Sequence, residues 1–198
     1  MNSALEKKPN SKKFDLIIQT ATDLFMQYGV RRVTVEEICK TAKVSKMTFY
    51  NYFKNKTELA EHIIFTIMEN AQLEFDAIWK QLSTFERKID QFIKLKMEYA
   101  KKFSKEFFLD FMDLSPAINQ KILDYSHKNQ ITFINMIEQA QKSGSVRSDV
   151  SINLMTFMMN KLLEFIEDDN FLSLYKNTED LTWDTINFYF YGIMGKKK

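Results

Sequence analysis

The chain has 198 residues, 45% hydrophobic and 27% charged, a composition able to bury a core while keeping a polar surface. Only four glycines and two prolines occur. Sandwiches and barrels need many turns built from those residues, so the composition excludes them and predicts long helices with few loops. The formal net charge is +2, but residues 1–58 hold 11 basic against 6 acidic side chains, or +5, leaving −3 for the rest. A basic module on a mildly acidic body points to a polyanion partner at one end.

Met1 to Asn10 is polar, contains Pro9 and reads as a disordered start. Ser11 reads as an N-cap, and Phe14, Ile17, Ile18, Ala21, Leu24 and Phe25 follow as one helical stripe that Gly29 ends. Thr34 with Glu37 forms a capping box opening a second helix, whose apolar face is Val35, Ile38, Cys39 and Ala42. After a break at Lys43-Val44, Ser45 caps a third helix from Lys46 to about Tyr52, anchored by Phe49 and Phe53. Two short helices joined by so few residues carry the helix-turn-helix signature.

A long helix is expected over about Lys56 to Trp79, another from Thr84 to about Ser104, and a shorter one over about Lys105 to Leu114. Ser115-Pro116 is a strong helix start, and that helix runs to Ser143, where Gly144 ends it. Two more helices are expected, about Asp149 to Asp168 and about Glu179 to Gly192, with Gly195 and three lysines fraying. The predicted fold class is all-α, about nine helices in total: an N-terminal three-helix helix-turn-helix domain over 11–55 and a larger helical domain over 56–195.

One cysteine, Cys39, excludes an internal disulfide and a cysteine-cluster metal site, and its place on an apolar helix face makes it a small buried hydrophobe. His62 and His127 stand apart with no partner at ligand spacing, so no metal and no cofactor is expected. No G-x-G-x-x-G, G-x-S-x-G, H-E-x-x-H or P-loop occurs, which argues against an enzyme. No apolar run approaches the ~18–20 residues of a membrane span, and the first residues lack a signal-peptide core, so a cytoplasmic protein with no membrane partner is expected.

The chemistry concentrates between Thr34 and Leu59. Thr34, Ser45 with Lys46, and Lys56 each open a helix, where free N–H groups favour an anion. With Phe49 and Phe53 turned inward, Met47, Thr48, Asn51 and Tyr52 share the outer face of the third helix. Tyr50 and Tyr52 carry hydroxyls on rigid arms suited to phosphate oxygens. Together these nine residues describe a short helix able to read a major groove of double-stranded DNA.

Gly29, Thr34, Ile38, Ala42, Val44, Ser45, Thr48, Tyr50, Tyr52, Phe53, Lys56 and Leu59 closely resemble the N-terminal pattern of the TetR/AcrR family of transcriptional regulators. The resemblance covers about residues 12–62. It implies a one-component regulator, presumed a repressor, that binds a palindromic operator as a homodimer and is released by a small effector. Two departures stand out. Lys43 occupies a turn position where the family often has glycine, and Met47 replaces a small or polar residue, which favours contact with a thymine methyl group. A helical carrier or enzyme with an incidental helix-turn-helix segment is the alternative class.

The remaining helices must then associate and sense. Ile152, Met155, Met159, Leu162 and Ile166 follow a 3-4-3-4 spacing, and Trp183, Ile186, Phe190 and Ile193 continue it. These nine are the expected dimer face, on helices that the resemblance makes a four-helix interface. Phe157, Phe165, Phe188 and Tyr191 lie elsewhere on the same helices, so each helix must bury more than one face. For the ligand pocket the candidates are Phe92, Tyr99 and Phe103, then Phe107, Phe108, Phe111 and Met112, then Phe133, Met136 and Ile137. Each could equally fill a core. Their softness and aromaticity point to a small apolar or aromatic effector.

Overall fold

The computed structural model describes residues 11–165 and 168–194, with the side chains at 108, 112, 163–165, 169 and 178 left out. Met1 to Asn10, Ile166, the Gly195–Lys198 tail and the side chains of Phe108, Met112 and Phe165 therefore lie outside the described residues. Ten helices and no strand are found among the described residues: α1 (Lys12–Tyr28), α2 (Val35–Thr41), α3 (Lys46–Tyr52), α4 (Lys56–Lys80), α5 (Phe85–Lys102), α6 (Lys105–Met112), α7 (Pro116–Ser143), α8 (Ile152–Phe165), α9 (Asp169–Ser173) and α10 (Thr178–Ile193). The expected all-α fold is present. The extra helix is the one-turn α9, capped by the Asp168 carboxylate on the N–H groups of Asn170 and Phe171.

The expected caps form. Ser11, Thr34 and Ser45 accept the N–H groups of Phe14, Glu37 and Thr48 at 3.0–3.2 Å. Gly29 ends α1 at φ +81°. Lys43 adopts φ +53° in the α2–α3 turn, the left-handed conformation that glycine would take there without strain.

The chain packs as two units. The first comprises residues 1–69 and 103–118, so it holds α1–α3, the first part of α4 and α6. Ile17, Ala21, Phe25, Ile38, Phe49 and Leu59 are among its most deeply buried side chains. Phe103, Phe107 and Phe111 form a ring ladder with centroids 5.1 and 6.4 Å apart.

The second unit comprises residues 70–102 and 119–198. Its core joins Phe85, Ile89 and Ile93 of α5 to Ile137 and Ala140 of α7, Met155 and Leu162 of α8, and Tyr189, Phe190 and Ile193 of α10. The Tyr189 hydroxyl donates to the Met155 carbonyl at 2.9 Å, so this buried phenol is satisfied, and burial holds its pKa above the ordinary range. Gln72 of α4, also buried, donates to Asp76 and to Asn129 of α7.

Candidate nucleic-acid interface

The interface is built outward from α3. Phe49 is fully buried and Phe53 nearly so, with ring centroids 5.9 Å apart. That orientation leaves Met47 76% exposed and Tyr50 54% exposed. A large apolar side chain at that exposure loses hydration free energy unless something covers it. Asn51 is also exposed, and Thr48 is half-buried. Of the four side chains expected to point outward, Met47 in the first turn and Asn51 do so, while Thr48 and Tyr52 are half-buried.

The polar residues divide by what already holds them. The Lys46 ammonium pairs with Glu36 of α2, and this hydrogen bond holds the Glu36 carboxyl below its usual range. Both groups are exposed, so the pair is weak. Thr34 and Ser45 use their hydroxyls as caps, and Ser45 Oγ also lies 2.9 Å from Thr48 Oγ1.

Two side chains expected on phosphate have other work. Tyr52 is half-buried: its hydroxyl bonds to Ser11 Oγ and its ring packs edge-on against Phe14, fastening α3 to α1. Lys56 donates to three carbonyls, Val30 at 2.7 Å, Arg31 at 3.0 Å and Val33 at 2.7 Å. An ammonium has three protons, so all are taken. Desolvation lowers the Lys56 pKa. Lys56 clasps the α1–α2 loop, and the signal for this was its spacing from a run of otherwise unpaired carbonyls, which no sequence pattern displays.

The same loop is also held by α6. Asp110 accepts the Arg31 N–H at 2.7 Å and pairs with the Arg31 guanidinium at 3.3 Å, while Asp113 also pairs with Arg31. The Ser104 N–H donates to the Met26 carbonyl at 3.0 Å. A Cβ on Gly29 would stand 2.7 Å from Asp110 Oδ2, so glycine is required there by space as well as by φ. None of Arg31, Asp110 or Asp113 was legible as a support of the reading helices, because the partners lie about 80 positions apart in sequence.

Cys39 is 5% exposed, and burial pushes its thiol pKa up, which fits the small-hydrophobe reading. The His62 ring packs against Phe14 and Phe53. No cluster of three metal-ligating residues occurs among the described residues.

Residues 17–63 match the family of bacterial regulatory proteins of the tetR type. Over that stretch the chain is similar to the DNA-binding domain of the TetR/AcrR transcriptional regulators. A curated relative from Bacillus subtilis, the uncharacterised HTH-type regulator YhgD, is 26% identical over 150 residues, which is 74% of this chain and 78% of that protein. Regulatory protein TetR from Rhodobacter sphaeroides shares the fold at TM-score 0.66 and 17% identity, over 90% of this chain and 97% of that one. SmeT, the repressor of the Stenotrophomonas maltophilia multidrug efflux pump SmeDEF, does so at TM-score 0.65 and 13% identity, over 94% and 92%.

In this regulator the expected dimer stripe needs correction. Met155, Leu162, Phe190 and Ile193 are buried in their own chain, and Ile152, Met159 and Ile186 pack half-buried against the same core. Of the nine, only Trp183 is exposed among the described residues. The 3-4 rhythm was real but marked the intrachain face. Other apolar side chains remain exposed: Leu154, Phe157 and Met158 on α8, Phe188 and Tyr191 on α10, and Trp183 elsewhere on α10. Leu162, Phe171, Tyr175, Asp184 and Phe188 line a groove of about 550 Å³.

The ten pocket candidates divide between the units. Phe103, Phe107, Phe108, Phe111 and Met112 belong to the first, where Phe107 is fully packed. Phe92, Tyr99, Phe133, Met136 and Ile137 belong to the second. There Ile137 is core, as its 0% exposure shows, and Phe92, Phe133 and Met136 pack against that core. The Tyr99 hydroxyl donates to Glu74 at 3.1 Å.

Proposed function

We propose that this regulator is a repressor that binds a palindromic DNA operator as a homodimer and releases it when a small, mostly apolar effector binds. Residues 11–55 form the DNA-binding domain and 56–195 the ligand-binding and dimerisation domain, and the protein works in the cytoplasm without catalysis. The observation that carries this reading is α3, a short helix seated on buried Phe49 and Phe53 with Met47 and Tyr50 turned to solvent. An exposed methionine and tyrosine beside Lys46 suit a major groove, with thymine methyl groups on its floor and phosphates along its rims.

Dimerisation draws support from the exposed apolar side chains of α8 and α10. Phe157 at 56% and Phe188 at 72% exposure are too large and too many to leave wet. A dimer would set two α3 helices ~34–36 Å apart, one turn of DNA. Effector binding draws support from a structural neighbour: SmeT is also known in a complex with triclosan. A ligand that prefers one arrangement of the dimer shifts the population, and a coupling of ~1–3 kcal/mol changes operator affinity ~5–150-fold.

The test is selection of binding sites from random duplex DNA, followed by a salt titration on the winner. A two-fold symmetric consensus with a steep salt slope is expected. Retention without any consensus would defeat the operator reading.

A further inference from the structure

The groove lined by Leu162 of α8 and Asp184 of α10 contains none of the ten residues expected to hold an effector. Its volume of about 550 Å³ falls within the ~300–1,000 Å³ of small-molecule sites. Every residue that lines it belongs to the second unit.

Its apolar wall is largely aromatic. Phe171 and Tyr175 meet edge to face with ring centroids 5.5 Å apart, and Phe188 and Leu162 complete the wall. Aromatic faces carry negative potential and attract cations. The one charged residue in the lining is Asp184. The Tyr175 hydroxyl donates to it at 3.3 Å, long for an O–H···O bond, and a carboxylate has about four acceptor sites. Among the described residues no lysine or arginine pairs with Asp184. Asp180 stands one helical turn earlier on α10 and adds to the negative field.

Asp184 is exposed, so its charge by itself would hold a cation weakly. Two further residues of the lining make the difference. Thr185 Oγ1 and Asn187 Oδ1 are buried polar atoms with no hydrogen-bond partner. The Asn187 amide cannot turn round without loss, because its Nδ2 donates to the Trp183 carbonyl at 2.9 Å. Its oxygen is therefore an acceptor in want of a donor. A buried acceptor left unpaired is costly, and a ligand N–H removes that cost. The rings, the carboxylate and the orphaned acceptor call for one partner, with a positive charge, N–H donors and an apolar body.

We propose that this groove binds an organic amine in its protonated form, with the ammonium set against Asp184 and the apolar body along Phe171, Tyr175 and Phe188. The site is separate from that of the apolar effector and does not rest on it.

The test is calorimetric titration of the full chain with 4-phenylbutylamine and with 4-phenylbutan-1-ol, which share a ring and a chain and differ in charge at neutral pH. The amine should bind at least about tenfold more tightly. Asp184→Asn keeps an acceptor for Tyr175 and should bring the amine close to the alcohol while leaving the alcohol unchanged. Alcohol binding and the melting curve report that the variant folds. Light scattering on the same samples keeps a change of oligomeric state, which would also alter the cover of Phe188, from being read as a change of affinity. In the unaltered chain, irradiated 4-(aminomethyl)benzophenone should label the stretch from Phe171 to Phe188, read by mass spectrometry, and 4-phenylbutylamine should compete the label away. Equal affinity for the two probes, no saturable binding of the amine, a preference that survives Asp184→Asn, or labelling confined to other segments would each overturn the proposal. Operator retention is measured separately, so a chain that holds DNA but ignores the amine sinks this inference and not the regulator reading.

Discussion

Asp110 of α6 accepts the backbone N–H of Arg31 at 2.7 Å, so a helix from mid-chain holds the loop that launches α2 and α3. Lys56 also grips carbonyls of that loop, and its charge and that of Asp110 favour each other. The start of the reading helices is thus fixed by two ionised groups, both acting on backbone.

Asp110→Ala should leave the Arg31 N–H unpaired in a site only 11% exposed on the Asp110 side. Such a loss costs ~1–3 kcal/mol, and each kcal/mol lowers Tm by ~2–4 °C at this chain length. Operator affinity should fall with it. Asp110→Asn keeps an acceptor and should lose less of both. Thermal melting and operator titration of the two variants check this, and a Tm equal to wild type for Asp110→Ala would refute it.

Lys46 and Lys56 should behave differently. Lys46→Ala removes an exposed cation and should flatten the salt slope of DNA binding by about one unit per lost phosphate contact, with little change in Tm. Lys56→Ala leaves three carbonyls without their donor and should lower Tm by several degrees, at ~1 kcal/mol per hydrogen bond lost. Its salt slope should stay near wild type. A salt titration beside a melting curve separates the cases.

A charge among the exposed apolar side chains of α8 and α10 should separate the dimer without unfolding the chain. Phe157→Glu and Phe188→Glu should run as folded monomers in light scattering, with wild-type helical content by circular dichroism. Phe190→Glu should unfold the second unit, because an unpaired buried charge costs several kcal/mol and Phe190 is 2% exposed. Dimers persisting in both Phe157→Glu and Phe188→Glu would place the interface elsewhere.

Met47 and Tyr50 should divide base reading from backbone grip. Met47 has only a weak acceptor, so its partner is apolar, and Met47→Ala should relax preference at one A·T position per half-site. Tyr50→Phe should lower affinity about equally at all sites, because a phosphate contact carries no sequence information. Site selection with each variant is the check; a wild-type consensus from Met47→Ala would cancel its role.

Local chemistry explains what the sequence by itself determined. Ser11, Thr34 and Ser45 cap their helices because a cap needs only a hydroxyl and an N–H three residues on, both present in the same stretch. Phe49 and Phe53 turn inward because they share one helical face. Lys43 stands out in the sequence where a turn wants glycine, and its φ of +53° is the result.

Tertiary structure decided everything that depended on distant partners. Lys56 has the appearance of a phosphate ligand until three loop carbonyls take its protons, and Tyr52 until Ser11 takes its hydroxyl. On α8 and α10 the apolar periodicity runs over more than one face, so spacing could not tell which face the chain keeps for itself. Packing against α5 and α7 settled it: Met155 and Phe190 went inward, and Phe157 and Phe188 were left outside. A sequence shows which side chains are apolar and how they repeat; which surface they cover depends on what the rest of the chain brings against them.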